Sequence, residues 1–127
     1  MARLAPAGTE EAVHDEAAAR LDALFSALSD PVRRSILERL DGEELLVSEL
    51  ASAYAISLQA VSRHIQVLVH AGLVVQTRTG RISRCRLDAG PIAEAAGWIN
   101  RYAKYWDAQF RTLADHLLEI EKRRDGR

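Results

Sequence analysis

The tightest constraint on the fold lies mid-chain, where two helix starts follow each other closely. Ser48 precedes a short helical stretch from Glu49 to about Tyr54, and three residues later Ser57 opens a second that runs to about Ala71 and stops at Gly72. A serine at such a start accepts a hydrogen bond from an orphan N–H of the first turn, and glycine takes the left-handed conformation that ends a helix. Two helices joined by so tight a turn form a helix-turn-helix unit. Leu73 to Arg78 then reads as a strand, Thr79-Gly80 as a turn and Arg81 to Leu87 as a second strand, so a hairpin wing follows directly.

The flanks read as helices. Thr9 caps a first helix with Glu10 and Glu11 in its opening turn and Val13, Ala17, Leu21, Leu24, Phe25 and Leu28 on one face. Asp30-Pro31 restarts the chain as a second helix, whose stripe of Val32, Ile36, Leu37 and Leu40 stops at Asp41-Gly42. Gly90-Pro91 opens a last helix in which Ile92, Ala96, Ile99, Ala103, Trp106, Phe110, Leu113, Leu117 and Ile120 recur at alternating spacings of four and three. As one helix from Pro91 to Ile120 it is about 45 Å long, more than this chain needs to close its own core. The excess implies a partner helix. The expected organisation is a flexible N-terminus at 1–8, one domain at 9–121 and a flexible C-terminus at 122–127.

Composition narrows the setting. A chain of 127 residues, 48% hydrophobic and 28% charged, suits one domain without metal or disulfide staples. It holds no apolar run near the roughly 20 residues of a membrane span and no secretory apolar stretch at its start, so the expected location is the cytoplasm. Cys85, the single cysteine, cannot close an internal disulfide and supplies too few ligands for a structural metal site.

The formal net charge of −1 argues at first against a nucleic-acid partner, but its distribution reverses that. Residues 1–49 hold 11 acids against 5 arginines, and 88–127 hold 7 acids against 7 basic residues. Between Leu50 and Leu87 there is no Asp or Glu, yet Arg63, Arg78, Arg81, Arg84 and Arg86 all lie there. A segment with cations and no carboxylates offers a local surface for a polyanion.

Within that window the helix after Ser57 has two sides. Leu58, Val61, Ile65, Leu68 and Val69 share the side expected to pack into the domain. Gln59, Arg63, Gln66 and His70 follow on the other, with Ala60 beside them and Ser62 at the flank. Arg bonds guanine bidentately, Gln bonds adenine, and a small residue admits a thymine methyl. The N-terminal part of such a helix enters the major groove, which selects Ser57, Gln59, Ala60, Ser62 and Arg63 as DNA contacts. Gln66 and His70 read as a solvated face beyond the groove. Arg78 and Arg81 flank the wing tip and are placed to straddle the adjacent minor groove or its phosphates. His64, at the edge of the apolar face with no nearby acid to make a catalytic pair, reads as a partly buried structural residue. Cys85 shares the face of Leu87 and reads as a small core residue.

These elements and strings resemble the ArsR/SmtB family of winged helix-turn-helix repressors along nearly the whole chain. The resemblance is carried by LFSALSDPVRRSIL at 24–37, VSELA at 47–51, SLQAVSRHIQVL at 57–68, AGLV at 71–74 and GR at 80–81. It implies a mostly α fold with a small hairpin wing, and a homodimer joined by its first and last helices, hence by Leu21, Phe25, Ile99, Trp106, Phe110, Leu113 and Leu117. It further implies a double-stranded palindromic DNA operator and release by a small-molecule effector. Metal sensing does not carry over. Where metal-responsive members have Glu-Leu-Cys-Val-Cys-Asp-Leu this chain has ELLVSEL at 44–50, without either thiolate. Of a second family site, Asp-x-His followed by His-x-x-Glu, only His116 and Glu119 remain, the first half falling on Ala103 and Tyr105. The chain therefore resembles a non-metal subgroup, with no cofactor expected. Trp98, Tyr102, Tyr105, Trp106 and Phe110 read first as packing residues and second as the lining of an effector pocket.

An enzyme fails on inventory: there is no phosphate-cradling glycine loop, no carboxylate pair near a nucleophile and no metal set. A winged-helix protein-interaction module that binds no DNA is the stronger rival, and the acid-free, arginine-bearing window argues against it.

Overall fold

The computed structural model describes residues 9–125, with side chains from Asp15 onward. The capping role of Thr9, the inward placing of Val13, the flexible end at 1–8 and the last two residues of the one expected at 122–127 lie outside what is described, while 122–125 continue the last helix. The chain divides between Ala95 and Ala96 into two compact units.

The first unit runs through α1 (Thr9–Leu28), α2 (Pro31–Arg39), β1 (Leu45–Leu46), α3 (Val47–Ala51), α4 (Leu58–His70), β2 (Val74–Thr79) and β3 (Ile82–Leu87) into the start of α5 (Gly90–Asn100). Its strands form an antiparallel sheet in the order β1-β3-β2. Asp30 caps α2 as expected, its Oδ2 accepting the Arg33 N–H at 3.1 Å, with Pro31 in the first turn. Gly72 ends α4 at φ +76°, and a Cβ there would press Pro91 Cγ at 3.3 Å.

The start of α3 corrects one expectation. Ser48 is not its cap, because residues 45–46 extend to pair with Cys85 and Arg84 of β3 and the helix begins directly at Val47. The Leu46 N–H is taken instead by the Glu49 carboxylate at 2.9 Å. Single turns carry the chain on to Tyr54.

The core gathers Leu24 and Ala27 from α1, Ile36 and Leu37 from α2, Leu40, Leu50 from α3, Val61, Ile65 and Leu68 from α4, and Leu73, Val74 and Cys85 around the hairpin. Leu21 and Leu28 pack on its edge. Polar chemistry enters this unit at helix ends. Arg33 donates to the carbonyls of Ala27 at 2.8 Å and Ser26 at 3.0 Å, and Arg34 to Leu28 O at 2.7 Å, so both close the C-terminus of α1. Arg39 does the same for α3 through Leu50 O at 3.0 Å and Glu49 O at 3.2 Å, and lies over the Tyr54 ring.

The second unit corrects the single long helix. The stretch from Pro91 to Ile120 is broken: α5 stops at Asn100, a 3₁₀ turn covers Ala103–Tyr105, and α6 runs from Asp107 to Asp125. The break coincides with GWINRYAKYW at 97–106, where glycine, asparagine and four aromatic rings all favour a helix less than Ala, Leu or Glu do. Short i+3 bonds replace the α-ladder there, Tyr102 N to Ile99 O and Trp106 N to Ala103 O both at 3.0 Å. The apolar seam is thereby cut into an α5 part and an α6 part. Ile99, Phe110, Leu113 and Leu117 are exposed, Trp106 is half-buried, and Phe25 on α1 is 40% exposed.

Candidate nucleic-acid interface

α4 is aimed by its two ends. At the N-terminus Ser57 Oγ accepts the Ala60 N–H at 3.1 Å, which leaves the hydroxyl proton to donate outward, and the first turn holds no acid to offset the positive helix end. Val61, Ile65 and Leu68 anchor one side in the core, so the opposite flank is presented outward with Gln59 and Arg63 exposed and Ala60 and Ser62 half-buried. Leu58 departs from expectation. It is 55% exposed, because it stands a turn ahead of Val61 where the core has ended.

The wing is set by register. Thr79 pairs with Ile82, so the two-residue turn is Gly80-Arg81 and not Thr79-Gly80. Gly80 has φ +62° while no residue other than glycine has positive φ among those described, the pattern of a type II′ turn with glycine first. Arg81 therefore rides on the tip itself. The pleat turns Gln76, Arg78, Ser83 and buried Cys85 to one face, and Arg84 and Arg86 to the other. Burial pushes the Cys85 thiol above its usual range, which keeps it protonated and unreactive.

Between α4 and the wing lies a cleft of about 450 Å³. Ser62 and Gln66 line it from α4, Gln76 and Arg78 from β2, and Arg81 and Ser83 from the tip and β3, with Ser48 and the apolar Leu46, Val47, Leu58 and Ile82 completing the wall. Of the residues expected to contact DNA, the cleft unites Ser62, Arg78 and Arg81; Ser57, Gln59, Ala60 and Arg63 lie outside it. The side chains of Arg63, Arg78, Arg81, Arg84 and Arg86 make no hydrogen bond or ion pair with any described residue.

Gln66 is exposed, as a solvated face requires, but it also has a partner the sequence did not suggest. Its Nε2 donates to Gln76 Oε1 at 2.9 Å, and Gln76 Nε2 donates to Ser83 Oγ at 2.7 Å. Gln76 and Ser83 escaped the sequence reading, although a signal existed: Gln76 falls two residues after Val74, on the inward pleat, where a polar group needs a partner.

His64 is half-buried, as expected, but an acid does reach it. Asp30 Oδ2 lies 3.8 Å from Nδ1, brought from far along the chain, and Arg33 Nη1 donates to the same nitrogen at 3.2 Å. The Nδ1 lone pair is thus the acceptor. Asp30 Oδ2 also holds the Arg33 N–H, so the cluster ties α4 to the start of α2. That N–H, helped by the charge of Arg33, keeps the Asp30 carboxyl below its usual range.

Comparison with known proteins agrees with this architecture. A helix-turn-helix domain family model matches residues 28–77. The chain is 27% identical over 84 residues to the transcriptional repressor SdpR of Bacillus subtilis, covering 66% of this chain and 93% of that protein. It is 37% identical over 81 residues to the HTH-type transcriptional regulator Rv2034 of Mycobacterium tuberculosis, covering 64% of this chain and 76% of the relative. Among solved structures, the ArsR family transcriptional regulator RHA00566 superposes with a TM-score of 0.66 at 31% identity, covering 69% of this chain and 91% of that one. No helix among the described residues is long and apolar enough to cross a membrane. A relative matched over most of its length at this identity, a matching domain model and a shared fold lead to one assignment: the chain belongs to the ArsR/SmtB family of winged helix-turn-helix transcriptional regulators.

Proposed function

We propose that the protein is a cytoplasmic repressor that binds a palindromic DNA operator as a homodimer and has no enzymatic role. The observation that carries this reading is the 50–87 segment, which holds no carboxylate while the side chains of its five arginines have no partner among the described residues. α4 enters the major groove through Ser57, Gln59, Ala60, Ser62 and Arg63, and Arg78 and Arg81 hold the flanking minor groove or its phosphates. The exposed apolar residues Ile99, Phe110, Leu113 and Leu117, with Leu21, Phe25 and Trp106, form the contact between subunits. Two subunits then present half-sites about 34–36 Å apart along one DNA face. Release follows an effector other than a thiolate-bound metal, since Leu46 and Ser48 occupy the positions where metal-responsive relatives carry cysteines.

Electrophoretic mobility shift with DNA from upstream of the protein's own gene tests the reading. A retarded, sequence-selective complex at moderate salt is expected, and no retardation at all would leave only a protein-interaction module. Sedimentation of Phe110→Asp tests the dimer: a monomer is expected, and an intact dimer removes α6 from the interface.

A further inference from the structure

The outer wing is a cantilever. Val74 at its root is buried, but Thr77, Arg78, Thr79, Gly80, Arg81 and Ile82 are all exposed, so beyond Gln76 the core no longer grips the hairpin. At that transition stands the chain of amides from Gln66 on α4 through Gln76 on β2 to Ser83 on β3. Among the described residues no other hydrogen bond joins α4 to either hairpin strand. Both ends of the Gln76 amide are engaged, so a flip would set nitrogen against nitrogen at Gln66. The lever from Gln76 to the tip is roughly 15 Å at strand spacing. A tilt of about 10° there displaces Arg81 by roughly 2–3 Å, far outside the reach of a hydrogen bond.

We propose that the Gln66–Gln76–Ser83 relay is a positioning device that fixes the wing against α4, so that the helix and Arg81 engage DNA in one register. This rests on the operator-binding reading above, but half of its test does not. The relay residues do not read bases; they hold the angle between the parts that meet the two grooves.

The first measurement uses the free protein. Amide hydrogen exchange of residues 77–83 in Gln66→Leu and in Gln76→Leu should quicken about fivefold, the effect of one lost neutral hydrogen bond. Gln76→Glu should leave it at the wild-type rate, because the carboxylate accepts from Gln66 and the Ser83 hydroxyl turns to donate. Unchanged exchange in both leucine variants, or quickening in Gln76→Glu equal to theirs, overturns the proposal. The second measurement is a double-mutant cycle on operator DNA. Arg81→Ala lowers the salt slope in the wild type, and in the Gln76→Leu background its further effect should largely vanish. Independent, additive losses would mean that Gln76 touches DNA directly and would overturn the positioning role. A wild-type protein that binds no DNA defeats the operator reading alone, and the exchange result still decides the relay.

Discussion

Arg33, Arg34 and Arg39 on α2 end on backbone carbonyls of the neighbouring helices, whereas Arg63 on α4 and Arg78 and Arg81 on the wing end at the surface with no partner among the described residues. The first group lies in the acid-rich half of the chain and is still not drawn to surface carboxylates, because the C-termini of α1 and α3 offer fixed, partly shielded acceptors. Among the described residues the second group makes no side-chain bond to a carboxylate or to a helix end. Positive charge alone therefore does not separate a structural arginine from a binding one; the acceptor geometry around it does. A guanidinium held in the open keeps its five donors for a phosphate or a guanine edge.

The largest expected effect falls on Arg63. Arg63→Ala should weaken specific operator binding by about 1–3 kcal/mol and relax sequence preference, with stability unchanged to within about 0.5 kcal/mol. Titration against matched and mismatched operators, beside a urea melt, checks both halves. Equal loss on every sequence would make Arg63 a phosphate contact only. Arg33→Ala should behave inversely, lowering stability by about 2 kcal/mol as two carbonyls of α1 and His64 lose their donor, with operator affinity of the folded protein unchanged. If Arg33→Ala weakened binding and spared the melt, the division between the two groups would collapse.

How far this division was legible beforehand depended on whether the partner was local. Asp30-Pro31, Ser57, Gly72 and Gly80 announce themselves because each meets a backbone group one to three residues away. The carboxylate gap at 50–87 needs no structure to be counted. What stayed hidden depends on residues distant in sequence. β1 is two residues long and exists only through its pairing with β3. The acid beside His64 arrives from α2, and the partner of Gln66 from β2. The broken last helix is a different failure: the four-three spacing continues through 97–106, but the intrinsic preference of those residues turns the backbone into i+3 bonds despite it.

Arg81→Ala sharpens the comparison on the wing side with a smaller effect. The slope of log affinity against log salt should fall by roughly one unit per subunit as one phosphate contact is lost, with little change in sequence preference. Binding isotherms across a salt series measure it, and an unaltered slope would take the tip out of the footprint and leave α4 to hold the DNA alone.

The smallest effect, on the α2 side, is the one that acid should expose. Asp30 has its carboxyl held below the usual range by the Arg33 N–H, with help from the Arg33 charge, while the unfolded chain returns it to about 3.9. Between those two values the unfolded state binds the extra proton, so the charge of Asp30 stabilises the fold above the unfolded value and ceases to do so as pH falls through the folded one. Asparagine is also a good N-cap, so Asp30→Asn keeps the cap geometry and removes only the charge. Thermal midpoints of the variant should lie below the wild type from neutral pH down to about pH 4, and the gap should close only as pH falls further, through the folded value. A gap that persists undiminished in acid would show that hydrogen-bond geometry, not charge, makes Asp30 the better cap, and α2 would then owe its arginine alignment to Arg33 alone.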